Sequence, residues 1–152
     1  MNLTTHQQGA ANHALRVLSG QTPHDQIALT GYAGVGKTIV TGYIAQELHK
    51  SGYSIAALTH AHRALNVLRK ALDGRADCYT MFSALGWRVD PVRGTPLDTG
   101  RHKLAGYDVL IVDEASMMDS RMYAAVQRIR DQRTLRVLWV GDPAQLPPVS
   151  DS

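Results

Sequence analysis

Cysteine is almost missing from this chain: Cys78 is the only one in 152 residues, which excludes an internal disulfide. A single thiol suits a reducing cytoplasm, the expected location. No apolar run approaches the ~20 residues of a membrane span, so no membrane partner is expected. Met1 to Ser19 lacks the basic start and apolar centre of a signal peptide. There is no internal repeat and no low-complexity segment, which sets aside repeat arrays and biased tracts. Net charge is also low, at +3. It is unevenly spread, however. Between Arg63 and Lys103 eight basic residues (Arg63, Arg69, Lys70, Arg75, Arg88, Arg93, Arg101, Lys103) face four acids (Asp73, Asp77, Asp90, Asp98), a local excess of four. Such a field suits a polyanion such as nucleic acid, or it is a solvated surface. A hydrophobic content of 44% and six prolines describe an ordinary globular chain, long enough for one domain with a core and too short for a second.

The most informative stretch is Gly31-Tyr32-Ala33-Gly34-Val35-Gly36-Lys37-Thr38. A short apolar run, Ile27 to Thr30, precedes it. A run with Val40, Tyr43, Ile44 and Leu48 on one helical face follows it. A strand that turns through glycines into a helix, with Lys-Thr at the entrance, fits the phosphate-binding pattern G-x-x-x-x-G-K-S/T. Gly31, Gly34 and Gly36 let the backbone bend and bring successive N–H groups toward phosphates, with Val35 and Ile39 completing the cradle. The helix N-terminus behind them favours negative charge. Lys37 opposes that dipole, so it makes poor sense as a helix residue and good sense as a phosphate partner. The Thr38 hydroxyl is placed to hold magnesium. The bland alternative is a glycine-rich turn with an incidental lysine.

Around this loop the chain alternates short apolar runs with helices. Thr4 to Leu18 reads as a helix in which Thr4 and Gln7 match a capping box. The alternative for Gln7 is an amide that reads the adenine edge. Ser54 to Thr59 is a strand, His62 to Leu72 a helix ending at Gly74, and Tyr107 to Val112 a strand. A helix from about Asp119 to Arg130 and a strand from Leu135 to Val140 follow. The rhythm predicts an α/β fold with a mostly parallel sheet buried on both faces and ligands at the carboxyl ends of its strands. Trp87 to Leu104, with two prolines and two glycines, breaks the rhythm. It is expected to be an inserted loop or β-hairpin, with a disordered surface loop as the alternative.

Asp113-Glu114 follows the apolar run Val109 to Val112. Adjacent carboxylates there repel unless a cation is present. At such a strand end the first acid helps hold magnesium, and the second is placed to orient and deprotonate a water. The alternative is an acidic start to the next helix. Gly141-Asp142-Pro143-Ala144-Gln145-Leu146-Pro147-Pro148 closes the following strand, with Gln145 either a sensor of the terminal phosphate or merely exposed.

In this order the motifs resemble the first RecA-like motor domain of superfamily 1 DNA helicases, in the RecD-like and phage Dda-like branch. The resemblance runs along nearly the whole chain. Leu3-Thr4-Thr5-His6-Gln7 resembles the adenine-reading motif, which moves Gln7 toward a nucleotide contact. Gly31 to Thr38 is similar to motif I, Val112 to Met117 to motif II and Gly141 to Val149 to motif III. Thr59-His60-Ala61 and Thr80-Met81-Phe82-Ser83 resemble motifs Ia and Ib. That implies single-stranded DNA contacts at Thr59, His60, Arg63, Thr80 and Phe82. Phe82 stands where this branch usually has histidine, which keeps base stacking and loses a hydrogen bond. As the only phenylalanine it is equally a core candidate. By the same analogy Trp87 to Leu104 would be the small subdomain that carries a strand-separating pin.

The resemblance implies ATP and Mg2+ as cofactors, with Lys37, Glu114 and Gln145 as catalytic groups. Thr38 and Asp113 are then the metal-binding pair. The family's remaining motifs, with the arginines that complete the site, lie in a second RecA-like domain, expected to be absent from this chain, which stops at Ser152 just past the stretch similar to motif III. The chain is therefore expected to bind ATP, to turn it over slowly and not to unwind DNA without that domain, in cis or in trans. The competing readings are a PhoH-like or other phosphate-loop ATPase without helicase activity, and a non-hydrolysing, nucleotide-gated binding module. A small-molecule kinase leaves Gly141 to Val149 without a job.

Overall fold

The computed structural model of the chain describes residues 3–30 and 35–141, Val35 by its backbone alone. The first helix, α1 (Thr5–Leu18), starts at a formed capping box. The Gln7 N–H donates to Thr4 Oγ1 at 3.1 Å, and the Thr4 N–H donates to Gln7 Oε1 at 3.0 Å. After β1 (Gln26–Leu29) come α2 (Val35–Lys50), β2 (Ile55–Thr59) and α3 (His62–Leu72). Then follow β3 (Asp77–Thr80), α4 (Met81–Leu85), the strands β4 (Trp87–Val89) and β5 (Pro96–Asp98), and β6 (Val109–Val112). A 3-10 turn over Ala115–Met117, α5 (Ser120–Gln132) and β7 (Arg136–Val140) complete the described chain.

Five strands form one parallel sheet in the order β1-β7-β6-β2-β3. Alternate residues serve opposite faces, as the pleat requires. Ile27, Leu29, Ile55, Ala57, Val109, Ile111, Leu138 and Val140 pack against α1, α2 and α3. Ala56, Leu58, Leu110, Val112, Val137 and Trp139 pack against α4, α5, Trp87 and Leu104. The expectation of a parallel sheet covered on both faces is met, and with it the RecA-like α/β class.

The central helix α2 differs from the one-faced helix that its sequence suggests. Thr41, Gly42 and Ala45 are buried along with Val40, Ile44 and Leu48. The cause is its place between α1 and α3, whose apolar residues share its core. Two elements were not foreseen: β3 at the sheet edge, and the single turn and a half of α4. Thr80 caps α4 by accepting the Ser83 N–H, and Gly86 ends it at φ 72°.

Within Trp87 to Leu104 the structure forms a β-hairpin. β4 and β5 pair antiparallel, with Trp87 opposite Asp98 and Val89 opposite Pro96. Its turn is tied by Asp90, whose carboxylate accepts the Val92 and Arg93 N–H groups. Its root is tied to α4: the Thr99 N–H donates to the Gly86 carbonyl and the Lys103 N–H to the Ala84 carbonyl. At Gly86 the positive φ and the approach of the Arg101 carbonyl both demand glycine, because a β-carbon there would overlap that backbone. Gly86→Ala is expected to destabilise the fold by about 1–3 kcal/mol. In urea unfolding this reads as a lower midpoint at unchanged slope.

Candidate nucleotide site and basic groove

Because β7 lies between β1 and β6, its carboxyl end is flanked by the carboxyl ends of those two strands. A cleft of about 370 Å³ opens there, lined by Lys37, Thr38, Asp113, Glu114, Met117 and Gly141 among others. Lys37 and Thr38 stand in the first turn of α2, with Gly36 and Ile39 beside them. That turn brings backbone N–H groups and the positive end of the helix to the cleft. Gly31, Gly34 and the segment carrying Gln145 lie outside the described residues.

Asp113 and Glu114 arrive from opposite circumstances. All four residues of β6 are buried, and Asp113 continues the strand, its N–H bonded to the Leu58 carbonyl at 2.8 Å. Burial pushes the Asp113 carboxyl above its usual range; a backbone N–H from Glu114 opposes this, the Glu114 charge adds to it, and Lys37 opposes it. Glu114 turns away in a left-handed conformation, φ 54° and ψ 41°, and begins the 3-10 turn. Its Oε1 accepts a hydrogen bond from the Thr59 hydroxyl at 2.6 Å.

The donor set fits magnesium. That ion takes oxygen ligands and is commonly held by one or two carboxylates plus substrate phosphates, not by a full protein cage. Among the described residues there is no cluster of three or more His, Cys, Asp or Glu side chains able to hold a metal by themselves. Asp113 and Thr38, which both line the cleft, are the residues that would offer magnesium hard oxygens. The buried Thr41 hydroxyl has no partner among the described residues and lines a small space with Thr38 and Asp113.

A second concavity, about 690 Å³, lies between α4 and the hairpin, lined by His62, Phe82, Trp87, Arg88, Arg101 and Lys103 among others. It gathers part of the basic field that the sequence spreads over forty residues. Phe82 is half-buried, and its ring meets Trp87 edge-on at 5.9 Å. Lys103 donates to Ser83 Oγ at 2.8 Å and sits 5.6 Å over the Tyr79 ring. Arg121 of α5 covers Trp87 from the side, 5.2 Å from its ring.

The residues expected to meet DNA separate here. Phe82 and Thr80 line the groove, although the Thr80 side chain is buried and occupied with the α4 cap. Thr59 is fully buried, and its hydroxyl donates to Glu114 Oε1. Arg63 is exposed on α3 and is not among the groove residues. His60 is half-buried, with Nε2 enclosed and without a hydrogen-bond partner among the described residues. Sequence reading missed Trp87, Arg88, Arg101 and Lys103 as one surface. The density of basic residues was the signal, and the hairpin that folds them together was the missing step.

Gln7 spends its carbonyl oxygen on the helix cap, which confirms the capping box and leaves its NH2 group as the donor available for other contacts. Gln7→Glu keeps the acceptor, so its thermal midpoint should match that of the parent chain. Thr4→Ala, which deletes the cap, should cost about 1 kcal/mol.

A parallel sheet with a helix-start lysine and threonine facing strand-end acids defines a phosphate-loop, RecA-like nucleotide-binding domain. The chain belongs to the AAA domain family, whose pattern it matches over residues 2–152. It is 32% identical over 143 residues to the ATP-dependent RecD2 DNA helicase of Deinococcus radiodurans, across 93% of this chain and 19% of that protein. To the ATP-dependent DNA helicase dda of Enterobacteria phage T4 it is 31% identical over 156 residues, across 97% of this chain and 33% of that one. To the ATP-dependent DNA helicase Pif1 of Campylobacter jejuni it is 28% identical over 139 residues, across 83% and 30%. The chain thus spans a third or less of the length of these relatives. It is homologous to the motor region of superfamily 1 helicases. Among solved structures, the HK97 bacteriophage large terminase shares the fold, with a TM-score of 0.55 over 93% of this chain and 33% of that one at 12% identity. Among the described residues no helix is long and apolar enough to cross a membrane.

Proposed function

We propose that this chain is the ATP-binding motor domain of a DNA-dependent ATPase, working in the cytoplasm on single-stranded DNA. It would do so with a second RecA-like domain supplied in cis or in trans. The observation that carries the reading is the convergence of Lys37, Thr38, Asp113 and Glu114 on one cleft at the carboxyl end of β7. Lys37 and the α2 N-terminus bind the terminal phosphates, with Gly31, Gly34, Val35, Gly36 and Ile39 lining them. Thr38 and Asp113 are the residues that would hold magnesium, which when bound supplies charge neutralisation on the phosphate oxygens. Glu114 orients the attacking water and accepts its proton, a contribution of roughly 10² to 10⁴ in rate. Gln145 senses the terminal phosphate, and the Gln7 amide reads the adenine edge.

The groove beside the hairpin supports the second half of the reading. Arg88, Arg101 and Lys103 are positioned to follow a phosphate backbone, and Phe82 offers a face for a base. Base–aromatic stacking contributes ~1–3 kcal/mol per base. Slow turnover by the chain alone is expected, because an arginine from the second domain is worth about 10³- to 10⁵-fold in related phosphate-loop enzymes.

Lys37→Ala should weaken magnesium–ATP binding at least about tenfold by calorimetry, the loss expected of a charged phosphate contact; unchanged affinity removes Lys37 from that role. Gln7→Glu, with its helix cap intact, should also bind ATP more weakly. ATP turnover should rise with single-stranded DNA in a form carrying the second domain; equal rates with and without DNA would favour an ATPase that does not act on DNA. Replacing Arg101 and Lys103 together by alanine should weaken single-strand binding and lower the salt slope by roughly one to two.

A further inference from the structure

Thr59 is the last residue of β2, buried completely, with Thr80 of β3 as its register partner. A buried hydroxyl needs an acceptor. This one finds it across the sheet, on the carboxylate of Glu114, at 2.6 Å. That length lies in the range of hydrogen bonds to an ionised oxygen, which are about twice as strong as neutral ones. The backbone at Glu114 is left-handed, a conformation disfavoured for a non-glycine residue. A strained backbone therefore turns this side chain toward β2, and one hydroxyl fixes one of its oxygens. Among the described residues no hydrogen bond is made to the other oxygen, and Glu114 lines the cleft.

We propose that Thr59 is a positioning residue for Glu114, anchoring Oε1 so that Oε2 is left to take the proton of the attacking water. The arrangement has the form of a base oriented by a third group. The proposal rests on Glu114 being the residue that activates water. It gives Thr59 a job in the nucleotide cleft instead of on the DNA. In the step itself the water oxygen bonds to the terminal phosphorus, the bridging P–O bond breaks with its electrons going to the nucleoside diphosphate, and the proton passes to Glu114. Thr59 exchanges no proton; it stays a donor throughout.

The test is single-turnover hydrolysis of labelled ATP by a form carrying the second domain, in excess and with single-stranded DNA present, alongside ATP affinity by calorimetry. Thr59→Val, which keeps the shape and removes the hydroxyl, should slow hydrolysis by about 10- to 100-fold with affinity within about twofold. Thr59→Ser should restore most of the rate. On a Glu114→Gln background Thr59→Val should add no further loss, since a residue that acts only through Glu114 has nothing left to position. Should Thr59→Val not fold, Thr59→Ala serves in its place. Hydrolysis by Thr59→Val at or above the parent rate overturns the proposal, as does a loss of affinity in step with rate or a further loss on the Glu114→Gln background. A parent form with the second domain that binds ATP yet hydrolyses it no faster than its Glu114→Gln variant is a separate failure. It would overturn the role of Glu114 and, with it, this proposal.

Discussion

An aspartate and a glutamate stand at the end of a strand with no exposed residue, and that electrostatic conflict organises the molecule around it. A charge brought toward a buried strand loses hydration, and a like charge beside it adds repulsion. For Asp113 burial is the larger of these, and the carboxyl is pushed up accordingly. The opposing forces are a backbone N–H from Glu114, the charge of Lys37 and, for Glu114 itself, the hydroxyl of Thr59. These partners come from two strand ends, those of β2 and β6, and one helix start. A wholly parallel sheet places all of those on the same edge. With both faces sealed by helices, polar side chains that do chemistry have only the strand ends to occupy, and the cleft forms there.

The parts legible in the sequence were those with strong local signatures. Glycines before Lys37-Thr38, apolar runs such as Val109 to Val112, and a leucine stripe from Leu65 to Leu72 each announce their element within a few residues. The elements that escaped notice had no room for a signature. β3 is four residues long at the sheet edge with alternate burial, and α4 is five residues long, too short for a helical period. The Thr59–Glu114 hydrogen bond joins residues 55 apart and exists only because β2 pairs with β6 in one register. Nothing near either residue encodes it. The groove is similar: Arg88 and Arg101 are separated by the hairpin that brings them to one surface. At Gln7 both sequence readings use the same side chain, and the structure shows the cap, which takes the oxygen.

The hairpin raises the question of what holds a small insertion in one orientation. Its lateral contacts are Arg128 to Asp98 at 3.7 Å and Arg121 over Trp87 at 5.2 Å, both from α5. An exposed ion pair is worth about 0–1 kcal/mol and an exposed cation–π contact about 0.5–1. Burying an indole, by contrast, is worth several times that; truncating a buried tryptophan costs ~3–5 kcal/mol. Trp87 is 6% exposed and belongs to the core under the sheet. The orientation is therefore fixed at the root, by Trp87 and the backbone bonds to Gly86 and Ala84, with α5 as a guide rail. Beyond the root Val89, Val92 and Leu97 are exposed, so the outer hairpin is carried on its own cross-strand bonds. The same core cluster holds Ala115, one residue after Glu114, and the inner face of α5. The wall of the basic groove and the carboxylate turn of the nucleotide cleft are thus seated on one packed layer. A change in how either is seated must be accommodated by repacking that layer, because close-packed interiors leave little free volume to absorb it.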